Sequence, residues 1–264
     1  MVRTIFDNKQ LEFIENNYKE ITYEEMSKLE LFESLNGTQI KNKARAMGLS
    51  KRRKFNDGFF EKINTKEKAY WLGFIYADGY IVYNEDIGNY ELGIELHEKD
   101  AYILNSLNKL FGNKHIIKFR EREISFNRYE YISKIASLRI YSKKVCDDLI
   151  ANGIVTNKTK SLTYPIVDND VFFHFLRGFF DGDGCLYNNI NGHKFIHFTN
   201  SNDIFLKYIS NVLLKYDINS KVYKEKDKKF RLVLNKYHSE KLLNYLYKDS
   251  DELKLVRKYH KYKS

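Results

Sequence analysis

Residues 69–80 read Ala-Tyr-Trp-Leu-Gly-Phe-Ile-Tyr-Ala-Asp-Gly-Tyr, and residues 174–185 read His-Phe-Leu-Arg-Gly-Phe-Phe-Asp-Gly-Asp-Gly-Cys. The two align without a gap at an offset of 105 residues, Asp78 with Asp183. Each is an apolar run of helix length that ends in Asp-Gly, so the chain contains an internal duplication. Gly73 and Ala77 stand four apart and share one helix face, and Gly178 and Gly182 repeat the arrangement. Glycine inside a helix costs roughly 1 kcal/mol relative to alanine. Its use twice at one position predicts two helices packed backbone to backbone with no side chains between them.

The ends of those helices carry the chemistry. Gly79 and Gly184 are natural stops, so two parallel helices would bring Asp78 and Asp183 side by side at their C-termini. Two anions repel there, at the negative end of both helix dipoles. A divalent cation relieves both problems, and carboxylates with water and phosphate oxygens suit Mg²⁺, or Mn²⁺, rather than a soft metal. One Asp-Gly after a helix is ordinarily a turn; two in matched apolar, small-residue settings point to a metal-binding pair.

Working outward, each motif is followed by the same expected order of elements. After the first come strands at 79–83 and 91–96, a helix at 101–111, strands at 116–119 and 137–141, and a helix at 143–151. After the second come strands at 185–187 and 195–199, a helix at 203–216, strands at 220–223 and 230–234, and a helix at 239–247. Period-two alternation and β-branched or aromatic content carry the strands. The boundaries are read as a small domain at 1–54, a linker at 55–65, and repeats at 66–165 and 166–264.

Composition narrows the partner. The 264 residues hold 45 Lys plus Arg against 35 Asp plus Glu, a net charge of +10, with 21 Tyr and 19 Phe. Such a surface suits a polyanion, although a solvated lysine-rich surface would have the same composition. No apolar run approaches the ~18 residues that span a bilayer, and the first residues do not resemble a signal peptide. Cys146 and Cys185 form no Cys-x-x-Cys pair, and both are expected to be buried free thiols. A soluble, cytoplasmic protein is expected.

Residues 1–54 read as three helices. Asp7 caps the first, Thr22 to Glu25 has capping-box spacing for a second running towards Phe32, and Thr38 caps a third that stops at Gly48. Seven Lys or Arg and no acid fall in residues 34–54. A basic third helix after the Asn36-Gly37 turn is what a major-groove reader needs. Thr38, Gln39, Lys41, Asn42 and Arg45 are expected on it, with Arg52 and Arg53 in the basic tail; the bland alternative is an ordinary three-helix bundle. The segment, with its Ala-Arg-Ala-Met-Gly-Leu-Ser-Lys-Arg-Arg-Lys tail, resembles helix-turn-helix or Myb-like modules.

Trp71–Gly79 and Leu176–Gly184 resemble the two copies of the signature of LAGLIDADG homing endonucleases, a resemblance spanning residues 66–264. It implies an α+β fold of two pseudo-symmetric αββαββα repeats forming a DNA-binding saddle, in a monomer that cuts double-stranded DNA with a divalent metal. The acids at the eighth motif position, here Asp78 and Asp183, are the implied metal ligands. Tyr76 replaces the usual acid at the sixth position of the first copy, whereas the second copy keeps it as Asp181, read as a helix-end polar contact.

The resemblance also implies a lysine beside each scissile phosphate. Asn157–Pro165 suggests Lys158, with Lys160 as alternate, and Glu252–Tyr259 suggests Lys258. If Leu92, Ile94 and Leu96 face the core, Glu91 and Glu95 face the groove. Alternation then exposes Lys118, Arg120, Ser137, Arg139, Tyr141, Lys221, Tyr223, Arg231 and Asn235 for contact with DNA. Alternatives on the same scaffold are a non-cleaving DNA-binding regulator, which would have lost the motif acids, and an intron RNA maturase. An intein-embedded nuclease would need a splicing Cys or Ser and a His-Asn end, which residues 1–264 lack.

Overall fold

The computed structural model describes residues 5–18, 20–49, 55–126, 129–155, 164–225 and 229–264. The chain divides into two units, Met1–Lys54 and Phe55–Ser264.

In the first unit, α1 (Asn8–Asn17) starts from a reciprocal cap between Asp7 and Gln10, and α2 (Tyr23–Met26) from one between Thr22 and Glu25. The second helix does not continue to Phe32. The Ser27 hydroxyl donates to the Glu24 carbonyl and Leu29 is extended, so only a 3-10 turn, Glu30–Phe32, follows. α3 (Gly37–Ala46) is capped by Asn36 rather than Thr38: Asn36 accepts from the Gln39 amide, and the Gln39 side chain accepts from the Asn36 amide. Gly48 adopts the expected left-handed conformation (φ 74°). Ile14, Met26, Phe32, Leu35, Ile40 and Ala44 form this unit's own core.

In the second unit the duplicated order is α4 (Lys66–Asp78), β1 (Gly79–Asn84), β2 (Asn89–His97), α5 (Ala101–Leu110), β3 (Lys118–Phe126), β4 (Tyr129–Tyr141) and α6 (Lys143–Ala151). It then repeats as α7 (Phe172–Asp183), β5 (Gly184–Asn188), β6 (Lys194–Asn200), α8 (Asp203–Leu214), β7 (Lys221–Lys224), β8 (Phe230–Val233) and α9 (Lys236–Tyr247), followed by α10 (Val256–Lys263). The strands form two antiparallel sheets of identical topology, β1-β2-β4-β3 and β5-β6-β8-β7. Alternation gives each sheet one buried face. Leu92, Ile94, Leu96, Ala136, Leu138 and Ile140 line it in the first, and Leu186, Ile196, Phe198 and Leu232 in the second. Each fully buried side chain of this kind contributes about 1.5–3 kcal/mol.

Two expectations change. Strands β3 and β4 are much longer than 116–119 and 137–141. Their outer part carries exposed charges on both faces (Arg120, Glu121, Arg122, Glu123), so it has no apolar alternation to betray it. Residues 55–65 are not a free linker. Phe59, Phe60 and Ile63 are buried in the second unit's core, and the Asn152 amide donates to the Phe60 carbonyl at 2.9 Å.

Candidate active site

Helices α4 and α7 pack against each other through their small residues. A Cβ at Gly73 would collide with the Phe175 carbonyl and lie 2.9 Å from the Phe179 amide nitrogen. A Cβ at Gly178 would collide with the Tyr70 carbonyl and lie 2.7 Å from the Phe74 amide nitrogen. The obstacles are backbone atoms and cannot rotate aside, so only glycine permits this approach. One turn further, a Cβ at Gly182 would strike that of Ala77 and lie 3.0 Å from Oδ2 of Asp78. The Asp78 carboxylate therefore stands beside the residue that precedes Asp183. Asp78 is exposed and Asp183 half-buried.

Gly79 and Gly184 close the helices, but not in the left-handed conformation expected of a stop. Both are extended (φ −80° and −75°) and lead straight into β1 and β5. Their glycine requirement is steric instead. A Cβ would come within 2.9 Å of the Ile75 Cα in one copy and 2.6 Å of the Phe180 carbonyl oxygen in the other.

Beneath the carboxylates lies a buried polar cluster. Asp181 is fully buried and accepts from the Tyr70 hydroxyl and the Leu255 amide, both at 2.9 Å. Burial pushes its carboxyl up to about 6, opposed chiefly by the Lys258 charge. Tyr76, its counterpart in the first motif, is also buried and donates to the Asn152 carbonyl at 3.0 Å. The guanidinium of fully buried Arg177 donates to the Leu253 and Leu246 carbonyls at 2.8 and 2.9 Å.

Lys258 does not lie exposed in an open cleft. It is 7% exposed, and its ammonium donates to the carbonyls of Phe180 (2.5 Å), Asp181 (2.7 Å) and Gly184 (2.6 Å). It thereby neutralises the negative end of α7. Burial pushes the ammonium down to about 8, while Asp181, Asp78 and Asp183 all act to hold its proton. The Lys258 ammonium thus serves the zone where both motif carboxylates emerge. Lys158 and Lys160 lie outside the described residues.

Among the described residues no group of three or more His, Cys, Asp or Glu side chains is placed to hold a metal. A cation here would have Asp78 and Asp183 as its acidic ligands, with the remaining positions left to water and substrate oxygens. That hard, oxygen-only donor set fits Mg²⁺ or Mn²⁺.

The outward strand faces place most of the expected contact residues. Lys118, Arg120, Arg139 and Tyr141 are exposed on the first sheet, while Ser137 on the same face is buried. Glu91 is also buried, accepting from the Tyr80 hydroxyl at 2.8 Å, and Arg139 approaches it at 3.5 Å. On the second sheet Lys221 and Tyr223 are exposed, and Arg231 pairs with Glu225 at 2.9 Å. Asn235 is not on that face; it lies beyond β8 and caps α9 by accepting from the His238 amide. Cys185 is exposed rather than buried, because as the second residue of β5 it lies on the outward side; Cys146 is buried, and burial raises its thiol to about 11. On α3, Thr38, Lys41, Asn42 and Arg45 are exposed, while Gln39 is half-buried in its cap. Arg52 and Arg53 lie outside the described residues. Sequence reading missed Arg122, whose Nη2 donates to Glu95 at 2.8 Å; its alternation with Lys118 and Arg120 was the available signal.

The duplicated helix pair, the matched sheets and the paired carboxylates define a class, and comparison with known proteins agrees. Residues 170–248 match the family model for a LAGLIDADG-like domain. The homing endonuclease I-WcaI, solved bound to its DNA recognition sequence, is 16% identical with a TM-score of 0.55, covering 84% of this chain and 97% of its own. The meganuclease I-SmaMI, solved bound to uncleaveable DNA, is 15% identical with a TM-score of 0.50, covering 75% and 89%. No curated protein matches the sequence. Residues 170–248 are thus similar to a LAGLIDADG-like domain, and the chain shares the two-repeat fold of these solved structures.

Proposed function

We propose that this chain is a site-specific endonuclease that hydrolyses phosphodiesters in both strands of duplex DNA, with a divalent metal held by Asp78 and Asp183. The observation that carries this reading is the approach of α4 to α7, which sets the Asp78 carboxylate against Gly182, next to Asp183. Two glycines whose Cβ positions are filled by backbone hold that approach fixed. A bound metal would supply Lewis-acid stabilisation of phosphate charge and a more acidic water.

The chain's own residues do the rest. Asp78 and Asp183 present oxygens from helix ends that cannot drift apart. Lys258 acts as a positioning residue: it ties down the carbonyls around Asp183 and offsets the negative helix end where a phosphate must approach. The outward residues of both sheets bind the duplex, and most of their cations position it through phosphate rather than specify sequence. The exposed face of α3, with Thr38, Lys41, Asn42 and Arg45, adds a second DNA contact from residues 1–54. The net charge of +10 supports a polyanionic partner.

The test is cleavage of a selected target by wild type, Asp78→Asn and Asp183→Asn with Mg²⁺ or Mn²⁺. Each variant is expected to lose double-strand cutting while binding as tightly or more tightly, because an anion near phosphate is removed. Full cutting by the double Asn variant refutes the assignment.

A further inference from the structure

The outward face of the first sheet is not simply basic. Register places Glu95 opposite Ser137, which lies opposite Lys118, and alternation puts Arg120 and Arg122 on the same face. Nη2 of Arg120 donates to both oxygens of Glu95, at 2.9 and 2.8 Å, and Nη2 of Arg122 donates to Oε2 at 2.8 Å. The carboxylate lies beneath and the guanidiniums above: the Glu95 side chain is 23% exposed, those of Arg120 and Arg122 47% and 46%.

An acid in this place weakens a surface that serves phosphate alone, since each carboxylate cancels a cation near a polyanion. It has a use if the arginines must be held at one angle. A free arginine loses considerable rotamer freedom on fixing its fork against a base edge, and a carboxylate that already holds it removes part of that cost. Both Arg120 contacts use Nη2, and the guanidinium still carries N–H donors on Nη1 and Nε. The base edge that accepts two parallel donors in the major groove is guanine, through O6 and N7.

We propose that Glu95 determines specificity: its carboxylate sets Arg120 and Arg122 as paired readers of guanine in the half-site covered by the first sheet. The proposal rests on the DNA-binding reading above. Glu95 here is a positioning residue that touches no base.

The test is selection from a randomised duplex library by the full chain without divalent metal, so that binding alone is read. Wild type is expected to select guanine at two positions of one half-site. Glu95→Gln is expected to lose that preference by about tenfold per position and keep the other half-site. Its affinity for mismatched DNA rises, and its salt slope steepens by about 0.9 for each guanidinium that turns to phosphate. Arg120→Lys, which keeps the charge but not the fork, is expected to lose one of the two guanines with an unchanged salt slope. Retention of both guanines in Glu95→Gln overturns the proposal, as does loss of preference at a further base pair outside those two positions, which would mean that Glu95 reads a base itself. A wild-type protein that selects no sequence refutes the endonuclease reading, whereas one that selects a site indifferent to Glu95 refutes this inference alone.

Discussion

Substituting Gly178 by alanine tests the helix contact on which the paired carboxylates depend. The added methyl would collide with the Tyr70 carbonyl and lie 2.7 Å from the Phe74 nitrogen and 2.9 Å from the Tyr70 carbonyl carbon. All three obstacles are backbone, so α4 and α7 must separate or tilt. Overpacking of this kind costs about 1–3 kcal/mol, and backbone obstacles place it at the upper end. Alanine recovers roughly 1 kcal/mol through helix propensity. The net loss is about 2 kcal/mol. In a unit of this size that lowers the melting temperature by about 4–8 °C. Gly58→Ala is the control, because its nearest neighbours are the Glu61 carboxylate at 3.4 Å and the Lys144 stem at 3.5 Å, both able to swing away. Thermal melts of the two variants, with single-turnover cutting and a binding isotherm for each, make the comparison. Gly178→Ala should cut far less well than it binds, since separation of the helices parts Asp78 from Asp183. A variant that melts at or above the wild-type temperature refutes the contact, because propensity alone would then have decided the outcome.

Three further outcomes are expected. Burial and the neighbouring Arg177 charge hold the imidazole of His174 down to about 4, and Arg177 lies 2.9 Å from its Nδ1. The unfolded chain therefore takes up a proton below about 6.5 that the folded chain refuses. Stability is full above that value and falls by up to about 3 kcal/mol as pH drops towards 4, a slope that His174→Gln should flatten in chemical denaturation. Lys258→Met strips the donor from buried carbonyls at the end of α7 and should cost about 3 kcal/mol or more along with cutting; an unchanged melt with lost cutting would place the ammonium on substrate phosphate instead. Removing residues 1–54 should shorten the footprint and weaken binding while leaving metal-dependent cutting in place, because the second unit has its own core and both carboxylates; an unchanged footprint would assign that unit another role.

What the sequence made legible was whatever repeats or alternates. The glycine pairs predicted touching helices because no other residue tolerates a carbonyl at the Cβ position, and Leu92, Ile94 and Leu96 predicted the sheet face by period alone. Capping chemistry was legible too, as at Asp7 and Thr22, although Asn36 outcompeted Thr38 because Gln39 could complete its reciprocal cap. Three things were hidden. The outer part of β3 and β4 carries charges on both faces, so it has no apolar rhythm. Phe59 and Phe60 sit in a short turn-rich stretch where burial is set by docking onto α6's end and Phe111, contacts distant in sequence. The destination of Lys258 depends on the fold of residues 246–258 over α7, which local pattern does not encode. A lysine in a chain with 45 basic residues carries no sign of whether it faces solvent or three carbonyls.

The break in symmetry at the sixth motif position follows from the same geometry. In both copies this residue points inward and must anchor its helix to the segment after the repeat's last helix. Behind α6 the group presented is the Asn152 carbonyl, an acceptor, and the Tyr76 hydroxyl meets it as donor. Behind α9 it is the Leu255 amide, a donor, and the Asp181 carboxylate meets it as acceptor while also taking the Tyr70 hydroxyl from the other repeat. Exchanging the two residues would set a carboxylate against the Asn152 carbonyl, acceptor against acceptor, and would leave the Leu255 amide only a phenol oxygen, a weaker acceptor than a carboxylate. The acid is therefore needed only where an amide must be received, and its absence from the first motif removes nothing from the pair formed by Asp78 and Asp183. The cost of keeping it in the second motif is a buried anion, and the nearness of Lys258 and Arg177 is what offsets that cost. The buried acid thus belongs to one repeat because the tail that crosses α7 belongs to one repeat. Its basic residues answer both the carboxylate they cover and the helix end from which Asp183 emerges.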